Sequence, residues 1–312
     1  MKKKVLCYGL GHDFIEDYAA IHEKYDVIGY SDRNEKRAIH HGGTKAIARS
    51  RIKEYVDQVD YILLTLAECR MDAAQELVLN FEVPIEKLYF FRYIGDGDNY
   101  TFTDVFKRQV SFFGQFYDDV LLWHIFQRLS YDLQNVRYLE IGTNDPILSN
   151  NSYFFYAHGA SGCLIDPLPL SERFCKIMRP RDQFIRAAVS SVSGSDVTFF
   201  LSPGTQVSSL HREFAGEHHL ETIVPKLGIN ELIASLNFMP DLVLVDAEGE
   251  DERILRALNY TKYHPIVIEA EMDKMEHGDD FQDFMRINGY TLLTQLGGNF
   301  FFIDTEKWNE IK

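Results

Sequence analysis

Tyr138-Leu139-Glu140-Ile141-Gly142-Thr143-Asn144, and then Cys163-Leu164-Ile165-Asp166-Pro167-Leu168-Pro169, are the two stretches that decide how this chain is read. Each opens as a short apolar run, the pattern of a strand buried on both faces of a parallel sheet. The first run ends at a glycine and the second at an acid, 24 residues further on. Glycine lets a chain turn tightly and approach a ligand, and a carboxylate on the next strand can accept both hydroxyl protons of a ribose. The same device stands near the start of the chain. Gly9-Leu10-Gly11 follows Lys4–Tyr8, and Asp32 follows Asp26–Tyr30, 23 residues after Gly9.

Outward from these stretches, strand-like and helix-like segments alternate. In the first part the strands are Lys4–Tyr8, Asp26–Tyr30, Tyr61–Leu66 and Lys87–Phe91, with helices over Phe14–Lys24 and Ala67–Asn80 and a charged loop leading to Ile52–Gln58. In the second part Tyr138–Gly142, Cys163–Asp166, Phe184–Val189, Val197–Leu201, Leu242–Asp246 and Ile266–Glu269 read as strands. Thr291–Thr294 and Asn299–Ile303 read as an antiparallel hairpin turning at Gly297-Gly298. This alternation predicts an α/β protein of two tandem Rossmann-like domains. The expected divisions are a domain over 1–95, a linker and aromatic helical segment over 96–136, and a second domain over 137–312. The linker is placed at Gly95–Asn99, which is polar and rich in turn formers. Phe106, Val110, Phe113, Tyr117, Leu121 and His124 recur at helical spacing, so 104–133 is expected to be one long amphipathic helix, with a homodimer as one use of its face.

The 312 residues suit two domains, and the 46% apolar and 25% charged fractions are those of a globular protein. Lys and Arg total 32 against 47 Asp and Glu, a net charge of −15. Such a surface repels phosphate backbones and anionic lipid, so nucleic acid and membranes are not expected partners. Cys7, Cys69, Cys163 and Cys175 form no CxxC pair, which fits packed thiols in a reducing compartment. The basic start, MKKKVLCYGLGHDF, is too short in its apolar run for a signal peptide, and no stretch reaches the length of a membrane helix. A cytoplasmic protein is expected.

The first glycine loop departs from a dinucleotide fingerprint. Phe14 occupies the third glycine position, and Asp13 sits where a helix N-terminus would face a pyrophosphate. A nucleotide-sugar oxidoreductase using this half is therefore the weaker alternative. The order GLGHDF, VIGYSDRN and YILLT resembles the Rossmann-like domains attached to bacterial sugar- and polysaccharide-modifying enzymes, and that resemblance implies a nucleotide-sugar- or partner-binding role.

Glu140-Ile141-Gly142-Thr143-Asn144 resembles the opening of a class I S-adenosylmethionine-dependent methyltransferase, and Asp166-Pro167-Leu168-Pro169 resembles its ribose-binding stretch. Ala187-Ala188-Val189-Ser190, Ser208-Ser209-Leu210, Val245-Asp246-Ala247-Glu248-Gly249-Glu250 and Ile268-Glu269-Ala270-Glu271 follow in order. Over about residues 137–303 this order is similar to that of the FkbM family of methyltransferases. The resemblance implies a class I methyltransferase fold ending in the hairpin. It also implies S-adenosylmethionine as cofactor and O-methylation of a hydroxyl on a small molecule, sugar or glycan precursor. Glu140 would contact the amino-acid end of the cofactor, Gly142 would permit close approach with Asn144 beside it, Asp166 would take the ribose, and the backbone at Ala188 would meet the adenine. The loop after Asn144 differs from the family's glycine pattern, reading Asp145-Pro146-Ile147-Leu148-Ser149-Asn150-Asn151-Ser152. Asn151 or Ser152 would then do the work of the missing glycine.

Asp246 lies where the fourth parallel strand should end, at the cleft, and is the first candidate for a general base. Glu248 and Glu269 are expected in support. Glu269 and Glu271 share strand parity and so point to one face. Together with Asp246 and Glu248 they could bind Mg²⁺ through oxygen, although no metal site is assigned. The bland alternative has Asp246 and Glu248 capping a helix over Glu250–Leu258. His211, His218 and His219 lack zinc spacing, Ser208 and Ser209 lack a hydrolase elbow, and His40–Gly43 reads as a polar loop. A non-catalytic binding protein with a degenerate cofactor loop is the remaining alternative.

Overall fold

A computed structural model describes residues 2–66, 70–91, 101–103, 109–202, 207–215, 220–272 and 279–311. The expected linker at 95–99 lies outside them, as do residues 104–108 of the expected aromatic helix. The chain divides into two compact units. The first is Met1–Asp98, and the second runs from Asn99 to Ser202 and from Gln206 to Lys312. Among the described residues, no helix is long and apolar enough to cross a membrane. Cys7, Cys163 and Cys175 are buried free thiols.

The first unit contains β1 (Lys3–Tyr8), α1 (His12–Lys24), β2 (Tyr25–Ser31), α2 (Glu35–Gly42), β3 (Tyr61–Leu64), α3 (Arg70–Phe81) and β4 (Leu88–Phe90). Its strands form a parallel sheet in the order β2-β1-β3-β4. The charged stretch before Ile52 is not all loop. Asn34 accepts the Lys36 N–H at 3.1 Å and starts α2, which ends at His40-His41-Gly42, so these histidines are helical rather than a polar loop. Only Ala38 of α2 is buried, so no apolar period marked it. Residues Arg49–Gln58 form 3-10 turns that bury Ile52 and Val56.

The second unit opens with a short antiparallel pair, β5 (Thr101–Thr103) and β6 (Gln109–Ser111), and then α4 (Asp118–Arg128). The single helix expected over 104–133 is thus corrected to α4 alone. Tyr117 takes a left-handed φ of 61°, and the Asp119 carboxylate accepts the Phe113 N–H at 2.5 Å, which fixes a turn where the helix was expected to continue. The aromatic spacing served packing instead: Phe112 stacks on Phe154 and Phe113 sits edge-on to Tyr153.

There follow β7 (Tyr138–Ile141), α5 (Asn151–Ala157), β8 (Cys163–Ile165), α6 (Pro169–Met178), β9 (Gln183–Ile185), β10 (Ala188–Ser190), β11 (Gly194–Leu201), β12 (Leu220–Gly228), α7 (Ile229–Ser235) and β13 (Leu242–Val245). The chain ends with α8 (Asp251–Ala257), β14 (Val267–Glu271), α9 (Asp279–Ile287), β15 (Tyr290–Leu296), β16 (Asn299–Asp304) and α10 (Thr305–Ile311). Seven strands form one sheet in the order β15-β16-β14-β13-β7-β8-β9. The five from β14 to β9 are parallel, while β16 runs antiparallel to both β14 and β15. From β7 the chain steps outward through β8 to β9, then returns to the other side as β13 and β14. That reversal makes the carboxyl ends of β7 and β13 a topological switch point, where ligands bind in such sheets.

The apolar run Phe184–Val189 is two strands, not one. Its first half ends β9 in the large sheet, and its second half is β10 in a separate sheet of order β10-β12-β11. A continuous apolar run carries no mark of where a chain changes sheets. The strand β12 was not expected at all. It alternates weakly and exposes Leu220 and Ile223. The main core lies on the large sheet, from Leu139 and Ile141 through Val243 and Val245 to Ile268 and Phe302.

Candidate active site

Gly142 ends β7 at a φ of +86°, and its N–H donates to the Ile165 carbonyl at 2.9 Å. A Cβ there would stand 1.7 Å from the Asp246 carbonyl oxygen. The glycine is therefore required by the close approach of the chain leaving β13. Next, Asn144 adopts a left-handed φ of 46°, and its N–H donates to Asp166 Oδ2 at 2.8 Å. Asp166 Oδ1 accepts the Leu168 N–H at 2.8 Å, at the entry to α6. Burial pushes this carboxyl up to about 6, against the pull of both backbone donors.

The loop that departs from the glycine pattern is stapled by its own polar residues. Asp145 Oδ1 accepts the N–H groups of Ile147 and Leu148, each at 2.8 Å. Asn150 caps α5 by accepting the Tyr153 N–H and donates to Glu140 Oε2 at 3.0 Å. The fully buried Arg179 gathers these pieces. It donates to Asn150 Oδ1 at 2.9 Å, Ser152 Oγ at 2.7 Å and the Pro146 carbonyl at 3.3 Å, and it pairs with Asp182 at 2.7 Å. Tyr138, Tyr153 and Tyr156 wall the guanidinium at 5.2–5.8 Å. Glu140 completes the network. Among the described residues, its contacts with Asn150, Ser152 (2.7 Å) and Arg179 (3.7 Å) all fall on Oε2 and none on Oε1.

At the end of β13 the turn Asp246–Glu250 carries strained backbone, with φ of 52° at Glu248 and 107° at Gly249. The carboxylate that caps this turn is Asp251, which accepts the Ala247 N–H at 2.7 Å and the Gly249 N–H at 3.0 Å. Asp251 thus ties down the turn, the N-cap of α8 is Glu250 with no side-chain cap bond, and Asp246 stays exposed at the strand end. Its oxygens lie within 4.8 Å of those of Glu248 and Glu271. Behind the turn, Ser209 donates to the Glu248 carbonyl at 2.7 Å. Glu250 takes the Ser190 hydroxyl at 2.6 Å and Arg253 at 2.8 Å, with His211 Nε2 at 2.9 Å. His211 is thus tied into the support of this turn.

An open depression at the switch point is lined by Gln115, Asp118, Glu140, Ile141, Gly142, Ser149, Asn151, Leu244, Val245, Asp246, Glu269, Glu271 and Asn299. Of the residues singled out in the sequence, it brings together Glu140, Gly142, Asp246 and Glu269, with Glu271 and Asn151. Glu248 touches its rim through the acid trio. Asn144 and Asp166 stand on the β8 side of the glycine loop. Ala188 stands apart, paired with Lys226 in the small sheet and packed on Leu168, Phe199 and Val224. Sequence reasoning missed Gln115, Asp118 and Asn299. Among the described residues, the lining holds five carboxylates and no lysine or arginine. Burial, with Asp118 and Glu140 nearby, pushes Glu269 well above the usual carboxylate range; burial also raises Asp118 and Glu140.

Residues 140–292 match the family model described as the Methyltransferase FkbM domain. The match starts on Glu140 and ends within β15, so it takes in the glycine loop, Asp166, the Asp246 turn and Glu269. Asp118 and Asn299 lie outside the FkbM match yet face the same depression. This supports a methyltransferase. None of the curated proteins compared with the chain matches it.

Proposed function

We propose that this protein is an S-adenosylmethionine-dependent O-methyltransferase that acts on a hydroxyl of a sugar or glycan precursor. The observation that carries the reading is a depression whose charged lining, among the described residues, is all acidic, at the switch point of a sheet matched to the FkbM methyltransferase domain. A phosphate-bearing dinucleotide would meet five carboxylates there and, among the described residues, no cation, whereas a sulfonium nucleoside without phosphates fits that set of groups. When bound, this cofactor supplies an electrophilic methyl group on sulfur. Asp166 holds the ribose with the lone pairs its two backbone donors leave over, beside the Asn144 turn. Glu140 turns Oε1 to the cationic end of the ligand while Oε2 stays on Arg179.

Asp246 takes the proton from the acceptor hydroxyl as its oxygen becomes nucleophilic. Glu248 and Glu269 support it from the rim and the floor. Positioning and exclusion of water supply the rest of the rate. The trio Asp246, Glu248 and Glu271 also has the oxygen chemistry for Mg²⁺. Transfer that persists in a chelator would assign the trio to proton handling alone. Titration calorimetry with S-adenosylhomocysteine tests the core of the reading: micromolar binding is expected, and its absence in the wild-type protein overturns the assignment.

A further inference from the structure

The floor of the depression holds buried acceptors that lack donors. Asp118 and Glu269 are both more than nine-tenths buried and both line the depression. Among the described residues, Asp118 Oδ1 and Glu269 Oε2 have no hydrogen-bond partner, and neither has the neighbouring Asn151 Oδ1. Their other atoms are fully engaged. Asn151 Nδ2 donates to Glu269 Oε1 at 2.5 Å and reaches Asp118 Oδ2 at 3.5 Å, while Asn299 Nδ2 donates to Asp118 Oδ2 at 3.0 Å. That network fixes the Asn151 amide with its nitrogen on the carboxylates and its oxygen left over. Gly114 borders this oxygen, and a Cβ on Gly114 would come within 2.3 Å of it. Leaving such acceptors unsatisfied inside a protein is costly, so a site built this way is complete only with a ligand that donates.

Among the described residues, every unfilled valence on this floor is on an oxygen, and two belong to carboxyl groups, which a bound cation would hold ionised as acceptors. A neutral hydroxyl offers one hydrogen, and an anion offers none. A primary ammonium offers three N–H donors, no acceptor and a positive charge. We propose that Asp118, Asn151 and Glu269 form a subsite for a primary ammonium group. The inference rests on the methyl-transfer reading only for the identity of the molecule that carries the amine. That amine belongs either to the amino-acid end of the cofactor or to an amino group on the acceptor.

Calorimetry on the full chain distinguishes the two sources. In one arm S-adenosylhomocysteine is compared with its des-amino analogue, and in the other glucosamine is compared with glucose. The amine-bearing compound is expected to bind about tenfold or more tightly in one arm, because charge-assisted hydrogen bonds are at stake. In Glu269→Gln and Asp118→Asn, which preserve shape, that preference shrinks toward unity. The arm that shows the preference names the source. Equal binding with and without the amine in both arms of the wild-type protein overturns the proposal, and needs no variant to fold. Mg²⁺ binding that disappears in both variants also overturns it, in favour of a metal. If S-adenosylhomocysteine fails to bind at all, the methyl-transfer reading falls, and the glucosamine arm alone decides the ammonium subsite.

Discussion

Asp166 Oδ2 accepts the backbone N–H of Asn144 at 2.8 Å, so the acid that ends one strand holds the glycine loop that ends its neighbour. The first unit repeats this relationship: Asp32 Oδ2 accepts the Leu10 N–H at 2.5 Å, and Oδ1 accepts the Asn34 N–H at 2.7 Å. The spacing of glycine and acid therefore encodes a clamp on the loop before any ligand arrives. A ribose adds a second demand on the same carboxylate. Asp166→Ala removes both functions and is expected to weaken S-adenosylhomocysteine about 30-fold or more, since a buried charged acceptor is lost. Calorimetry that shows unchanged affinity would remove Asp166 from the cofactor site.

Gly142 is set by backbone, not by ligand. With a Cβ 1.7 Å from the Asp246 carbonyl, and a φ of +86°, Gly142→Ala must push β7 and β13 apart at their carboxyl ends. The expected cost is about 3 kcal/mol or more, read by chemical denaturation. A loss under about 1 kcal/mol would mean that the strand ends part easily.

Arg179 should prove less replaceable than any acid in the site. Its guanidinium spreads donors over Asn150, Ser152, Asp182 and the Pro146 carbonyl while three tyrosine rings wall it in. Arg179→Met leaves Glu140 and Asp182 without their cation, at a cost of roughly 3–5 kcal/mol. Arg179→Lys keeps the charge but not the fork, so it is expected to recover only part of that loss. Full recovery by lysine, measured by the same denaturation, would reduce the network to a single ion pair.

These residues also mark what the sequence makes legible. Gly142, Asp166 and Asp246 end short apolar runs, and a strand end followed by a glycine or an acid is a local pattern that topology then carries to the switch point. Asp118 had no such pattern: its segment read as the interior of a helix, and the left-handed turn at Tyr117 that makes it the first residue of α4 goes with a bond from Phe113 to Asp119 that helical spacing does not announce. Asn299 reaches Asp118 across 181 residues of chain, a partnership that no local spacing announces. Arg179 sits just past α6 as one of several cations between Arg173 and Arg186, and only the fold shows how much it holds. Asp251 holds its turn for a similar reason. Several acids crowd that turn, and the geometry of Gly249 decides which one faces its N–H groups.

Asp246→Asn separates chemistry from binding. The side chain is exposed at the end of β13, and Asp251 rather than Asp246 caps the turn, so folding should be unaffected. Removing a general base is expected to lower kcat about 100-fold or more, with S-adenosylhomocysteine affinity within about threefold of wild type. A variant that retains full kcat would move proton removal elsewhere in the depression.

The buried acids give the second unit an unusual response to pH. Burial pushes both Asp119 and Asp166 up to about 6, and raises Asp118, Glu140 and Glu269 as well. For each, the folded state holds a proton that the unfolded chain has already released above its ordinary carboxylate value. Folded protein therefore binds more protons than unfolded protein in this window, and stability falls as pH rises from about 4 through 6. The cost per group is roughly 3 kcal/mol for Asp119 and Asp166 once both states are ionised. The melting temperature is accordingly expected to drop between pH 5 and pH 7. Because the cause is burial, added salt should recover little of the loss. Asp119→Asn supplies the internal control. Its carbonyl oxygen can still accept the Phe113 N–H, while its new N–H donors replace an oxygen that has no hydrogen-bond partner among the described residues. That variant should melt a few degrees higher than wild type at pH 7.5 and near it at pH 5. A wild-type melting temperature that climbs from pH 5 to pH 7, with no gain from Asp119→Asn, would mean that these carboxylates ionise in the folded state as easily as in water.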